Sequence, residues 1–290
     1  MAHRGLELSH RASDAGPVND VRWALRWQGW ADWSLTVPAL VLAAAAVILD
    51  VATAWTDLSL GSLGRIAVSP ALPLALVLAA ILSGARRSPG PGSGQAWREF
   101  RVGVGAVLVV ATLGYAVLLT RPAEAVGLVV AAIGEELVFR LAAVLVIGAL
   151  CARLLGRDWR HPRQWGATPG FVGLVAAAVV FSVLPGHVAQ MTTVTRSLSF
   201  ASLALLLGYT VLRTGAVWPA ILVHALIDVM TLAAWQGSGL ALVRLATAAG
   251  ALGALVAATE VAGRRLGLRT RVPTVIDLRS APPTAGLTGT

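Results

Sequence analysis

Eight apolar stretches follow one another along this 290-residue chain, and most are long enough to cross a lipid bilayer. They run at about Trp33–Trp55, Ile66–Gly84, Val102–Leu119, Ala123–Ala152, Phe171–Leu184, Leu198–Leu212, Val217–Trp235 and Leu240–Gly263. A spanning helix needs roughly 20 mostly apolar residues, and only a helix or a closed barrel satisfies its backbone polar groups inside hydrocarbon. Charged residues make up 13% of the chain, against about 25% in an ordinary soluble domain. A soluble fold of this length still exposes about a quarter of its surface and could not cover it with so few polar groups. The expected fold is therefore all-α: a polytopic transmembrane helix bundle of about eight spanning helices, placed in the plasma membrane as a multi-pass protein.

The formal net charge of +9 comes from arginine alone, since the chain contains no lysine. A basic balance can indicate nucleic acid, but here the arginines lie between apolar runs, where they act as topology signals. With the N-terminus inside, the inner segments hold Arg4, Arg11, Arg22, Arg26, Arg86, Arg87, Arg98, Arg101, Arg153, Arg157, Arg160, Arg163, Arg213 and the five arginines from Arg264 on. The outer side keeps only Arg65, Arg121, Arg196 and Arg244. This asymmetry predicts both termini inside and no nucleic-acid partner. Trp55, Trp97, Trp159, Trp165, Trp218 and Trp235 fall near proposed helix ends, as an interfacial belt requires.

The remaining segments divide the chain. Residues 1–32 form a cytoplasmic N-terminal segment without a cleavable signal peptide. There, Trp23, Trp27 and Trp30 recur at helical spacing, either on an interfacial helix or on an extension of the first span. Residues 33–122 hold three accessory transmembrane helices. Residues 123–236 form the core that carries the polar motifs, and 237–263 the last transmembrane helix. Ser88–Gly94 reads as a loop, and 264–290, with Pro273, Pro282 and Pro283, as a disordered cytoplasmic tail.

An ionisable side chain in the hydrocarbon region costs several kcal/mol, so each one there calls for a reason. Glu135 and Glu136 stand in mid-helix, and adjacent positions lie about 100° apart around a helix axis. Arg140 follows Glu136 at the i,i+4 spacing that lets the pair neutralise itself. That pairing leaves Glu135 as the less compensated carboxylate, suited to general acid–base work; a purely structural ion pair is the alternative. His187 follows Pro185-Gly186, a pair that kinks or ends a helix, so it is expected to reach inward from a turn. His224 and Asp228 share one face of the seventh helix. Carboxylates, two imidazoles and a cation on three helices make a set able to activate water in a site that lipid keeps dry.

At these residues the chain resembles the CAAX protease and bacteriocin-processing (CPBP, or Abi) family of intramembrane endopeptidases. The family pattern is EExxxR, then a Phe and a His, then HxxxN or HxxxD on successive helices. Glu135, Glu136 and Arg140 fill the first motif, His187 the second, and His224 with Asp228 the third. The similarity covers about Ala123 to Met230. It departs from the pattern at Val183, which stands where the family usually has Phe four residues before the His; Phe181 is six before.

The resemblance implies hydrolysis of peptide bonds in membrane-associated protein or peptide substrates, with Glu135 as the base that activates water, His187 assisting, and His224 with the last motif residue stabilising the oxyanion. An ionised Asp228 only accepts hydrogen bonds, so in that scheme it is protonated, orients His224 or binds a metal. Glu135, His187, His224 and Asp228 also form a candidate Zn2+ ligand set, and both a zinc-dependent and a metal-free mechanism stay open. Two other classes compete: an ion- or proton-coupled transporter, because buried charges also line ion pathways, and a non-catalytic membrane scaffold that keeps the motif for packing.

Overall fold

The computed structural model describes residues 34–56, 58–84, 105–106, 108–115, 119–162, 165, 167–214, 217–236 and 241–265. The expected interfacial helix, the Ser88–Gly94 loop and nearly all of the tail lie outside them. The labelled helices are α1 (Val37–Thr56), α2 (Ala71–Gly84), α3 (Pro122–Leu154), α4 (Ala167–Ser182), α5 (Pro185–Val188), α6 (Val194–Thr214), α7 (Trp218–Gln236) and α8 (Ala241–Arg265). Residues 105–106 and 108–115, within the expected third span, are helical as well. Five helices (α1, α3, α6, α7 and α8) are long and apolar enough to cross a membrane, and α2 and α4 contain shorter apolar stretches. This is an all-α polytopic bundle.

One small correction concerns the second span. Its expected first residues, Ile66 and Ala67, form a β-strand that pairs antiparallel with Ser62–Leu63, in the register Ser62↔Ala67 and Leu63↔Ile66. Gly64, at φ +61°, makes the turn between the strands, a backbone region that side chains disfavour. The hairpin lies on the start of α3, where a Cβ on Gly127 would come 2.7 Å from Ile66 Cβ.

Helix α3 is the central element: 67% of its apolar window is buried, against 28% for α1 and α6 and 11% for α8. Pro122 opens it, with Glu124 in the first turn, where a fixed φ and a negative charge suit the N-terminal dipole. Gly156, at φ +67°, closes it. Arg157 N–H donates to Ala152 O at 2.8 Å and Gly156 N–H to Arg153 O at 3.0 Å, the two bonds of a Schellman cap. At 33 residues and 1.5 Å per residue, α3 is about 50 Å long, well beyond the ~30 Å hydrocarbon core.

Between Glu136 and Ala143 the helix widens into a π-helical segment whose eight residues are all buried. Such segments concentrate at functional sites. α1, α2 and α4 pack against this segment. On α1, Val37, Val41, Ile48 and Trp55 are exposed, while Ala39, Ala43, Ala46, Asp50 and Thr53 face inward. Small side chains let the helix backbones approach closely, the usual basis of packing in lipid.

The join between α3 and α4 uses the same device. A Cβ on Gly173 would lie 2.8 Å from Val144 O, and one on Gly148 would run into the Trp165 ring. Trp165 is fully buried there, donating its indole N–H to Trp159 O at 3.0 Å. It is a packing residue, not the interfacial residue its place in the sequence suggested. Trp55 and Trp235, by contrast, are exposed near helix ends, in keeping with an interfacial belt.

Candidate active site

The π segment begins at the second of the two adjacent glutamates, and the two have opposite environments. The Glu135 side chain is 27% exposed, whereas Glu136 is fully buried. Arg140 lies four residues on, its Nε 3.5 Å from Glu136 Oε1, so the expected ion pair is present. The guanidinium also covers the Phe181 ring at 4.1 Å from the centroid, a cation–π arrangement. Among the described residues its three nitrogens and Glu136 Oε2 have no hydrogen-bond partner, so the cation is held by charge and by the aromatic face.

Glu136 has a second partner that its spacing from Arg140 does not reveal. His224 Nδ1 lies 2.8 Å from Glu136 Oε1. Because the carboxylate accepts, Nδ1 carries the proton. The other ring nitrogen, Nε2, then faces Glu135 Oε2 and Asp228 Oδ2, each at 3.7 Å. His224 and Asp228 thus share one face of α7, as their i,i+4 spacing predicts.

His187 reaches the same carboxylate from the other side. α4 ends at Ser182, Leu184 adopts extended backbone (φ −61°, ψ 141°), and Pro185 starts the single turn of α5. His187 sits on that turn, as the Pro-Gly pair led us to expect. Its Nδ1–H donates to Phe181 O at 2.6 Å, which leaves Nε2 facing Glu135 Oε1 at 3.8 Å. The helix breaks here, and the Phe181 carbonyl accepts the Leu184 N–H at 3.4 Å besides the imidazole.

Phe181 is the hub of the site. Its ring lies 4.1 Å from the His187 ring, 5.4 Å from Phe139 and 6.2 Å from His224, centroid to centroid. The aromatic side chain absent at Val183 is thus present two residues earlier.

All six residues read from the sequence come together: Glu135, Glu136 and Arg140 on α3, His187 on α5, and His224 and Asp228 on α7. One further carboxylate belongs beside them. Asp50 on α1 is 8% exposed, accepts a hydrogen bond from Ser69 Oγ, and interacts electrostatically with Glu135 and His187. The signal that marked the other groups, a charge inside an apolar run, marks Asp50 too, but the motif spacing drew attention to α3, α5 and α7.

The zinc reading concerns four of these residues. Side-chain N and O atoms of His187 and Glu135, of Glu135 and His224, and of His224 and Asp228 lie 3.7–3.8 Å apart. Among the described residues no set of three His, Cys, Asp or Glu side chains is arranged to hold a metal ion. As arranged here, these four side chains do not form a metal-binding set.

A helical membrane bundle with a carboxylate set between two imidazoles near its centre defines a class: intramembrane proteins built around a polar reaction site. Residues 119–230 match the family model of the type II CAAX prenyl endopeptidase Rce1-like proteins. This match supports a CPBP/CAAX protease family assignment, and it spans α3 to α7 up to Met230, every one of the six motif residues included. The comparisons with curated proteins and with solved structures found no match.

Proposed function

We propose that the chain is an intramembrane endopeptidase that hydrolyses peptide bonds of membrane-associated substrates with a water activated by Glu135. The observation that carries this reading is the convergence of two imidazole Nε2 atoms on one half-open carboxylate, at 3.8 and 3.7 Å. Each imidazole is oriented by an acceptor on its own Nδ1. These gaps exceed a direct hydrogen bond and leave room beside Glu135 for reacting groups.

In this scheme Glu135 takes a proton from water as the water oxygen bonds to the substrate carbonyl carbon. His224, in its imidazolium form, donates Nε2–H to the oxyanion, while Glu136 holds its Nδ1–H. Asp228, 3.7 Å from the same ring nitrogen, stabilises the imidazolium by its charge. The proton on Glu135 passes to the amide nitrogen, directly or through His187 Nε2, and the C–N bond breaks to give an acid and an amine. Arg140 touches no reacting atom; it balances the charge of Glu136. The match to the type II CAAX prenyl endopeptidase family makes prenylated Cys-aliphatic-aliphatic-X termini the first substrate class to try. The eight-span arrangement with both termini inside belongs to the same reading, supported by the arginine asymmetry.

The test compares new protein N-termini in membranes from cells making the wild type with those making Glu135→Gln, at matched expression. Gln keeps the shape and removes the base, so cleavage should fall at least about 100-fold. Termini present only with the wild type would identify substrates. Matching profiles from two folded, inserted proteins would count against a peptidase, and ion-flux assays on the same pair would then test the transporter reading. Loss of wild-type cleavage with 1,10-phenanthroline, restored by zinc, would return the four-residue ligand set to consideration.

A further inference from the structure

Asp50 lies outside the three motifs and outside the segment that matches the family model, yet its charge bears on the centre of the site. It belongs to the inward face of α1, spaced with Ala39, Ala43, Ala46 and Thr53, and it is the one ionisable residue of that helix. A carboxylate inside an apolar helix costs several kcal/mol, where a fourth alanine would pack without that cost. The neighbouring elements are the ones that carry the reacting groups: α1 packs on the π segment, which follows directly on Glu135, and on α5, which bears His187. The charged groups that Asp50 senses are Glu135 and His187.

The carboxylate is also held in place. Ser69 Oγ accepts the Ala71 N–H at 3.2 Å at the start of α2, which directs its own hydrogen to Asp50 Oδ1 at 2.5 Å. Asp50 is therefore a hydrogen-bond acceptor, anchored to the N-terminal end of a helix whose dipole favours a negative charge.

We propose that Asp50 is a positioning residue of this active site: a fixed negative charge, supplied by an accessory helix, that favours transfer of the water proton onto Glu135 and its passage toward His187. The inference rests on the peptidase reading above. Asp50 exchanges no proton itself. In the ground state its negative charge acts on the Glu135 carboxylate, like charge on like charge. When Glu135 takes the proton from water that repulsion disappears, and an imidazolium at His187 is attracted instead. An interaction more favourable in the transition state than in the ground state raises kcat and leaves KM alone.

The experiment measures hydrolysis of a fluorogenic prenylated Cys-aliphatic-aliphatic-X peptide by full-length protein in proteoliposomes, with thermal unfolding recorded in parallel. Asp50→Asn keeps the shape and can still accept from Ser69. It should lower kcat about tenfold at unchanged KM and unchanged unfolding temperature, and Asp50→Glu should recover most of the loss. Asp50→Thr takes the place of the Asn variant if that one does not fold. A neutral variant with wild-type kcat would overturn the proposal. So would a loss confined to stability, or a failure of both neutral variants to fold, since either makes Asp50 a purely structural group. Failure of the wild type to cleave the peptide is a different result, because it strikes the substrate class and the peptidase reading before Asp50 is reached.

Discussion

Arg140 shows how much one side chain must do in a low-dielectric core. Its cation stands 3.5 Å from Glu136 and over the Phe181 face, and it is 2% exposed. Lysine would keep the charge but not the flat, weakly hydrated surface that stacks on a ring. Arg140→Lys should therefore lower the yield of monodisperse protein on size-exclusion chromatography, while the folded fraction keeps wild-type kcat. A well-folded but inactive Lys variant would instead make Arg140 part of the chemistry. Arg140→Ala should be more damaging, by up to about 3–5 kcal/mol, because it removes the cation beside the buried Glu136 carboxylate and leaves that charge to His224. The i,i+4 spacing made this pair legible in the sequence. The bond from Glu136 to His224 was not legible, since 88 residues separate them and no local pattern encodes that contact.

At the level of elements, close backbone approach fixes where the motif-bearing helices stand. The Gly173 Cα faces the Val144 carbonyl, and any Cβ there would meet backbone rather than a movable side chain. Gly173→Leu should destabilise the protein by at least about 1–3 kcal/mol, read as a lower unfolding temperature in detergent. Gly250 and Gly253 on α8 have open space at the Cβ position. Alanine at either should be neutral or should stabilise by up to about 1 kcal/mol through helix propensity. An equal loss at all three glycines would contradict this account. The positions of the long helices were readable from hydropathy because an apolar run of spanning length has few other uses. Hydropathy does not mark the start of α2, because Ile66 and Ala67 are as apolar as the helix that follows, while the glycines around them turn the chain into a hairpin. The π segment was invisible to periodicity, since an i→i+5 widening of one turn leaves the apolar pattern of a long buried helix almost unchanged.

For the whole molecule, the bundle separates a lipid-facing surface from a polar centre. Helices such as α1 and α8 present large apolar side chains outward, including Ile48 and Leu245, and the titratable groups gather around α3. If both termini are inside, as proposed, the Ser62–Ala67 hairpin is external and the loop after α3 internal. In a Cys151→Ala background, Ser62→Cys should react with a membrane-impermeant maleimide in intact cells, and Arg160→Cys only after permeabilisation. The reverse labelling would invert the topology and with it the side from which substrates arrive.

Hydropathy, arginine placement and short-range spacing are local properties, and they were enough to establish a helical membrane bundle, the Glu136–Arg140 pair, the shared face of His224 and Asp228, and the turn that carries His187. Each follows from the cost of polar groups in hydrocarbon or from the 3.6-residue helical repeat. The convergence of both imidazoles on Glu135, the hub at Phe181, the burial of Trp165 and the arrival of Asp50 from α1 depend on which helices lie side by side. Those neighbours are selected by glycine and alanine contacts between segments far apart in the chain, so only the packed structure decides them.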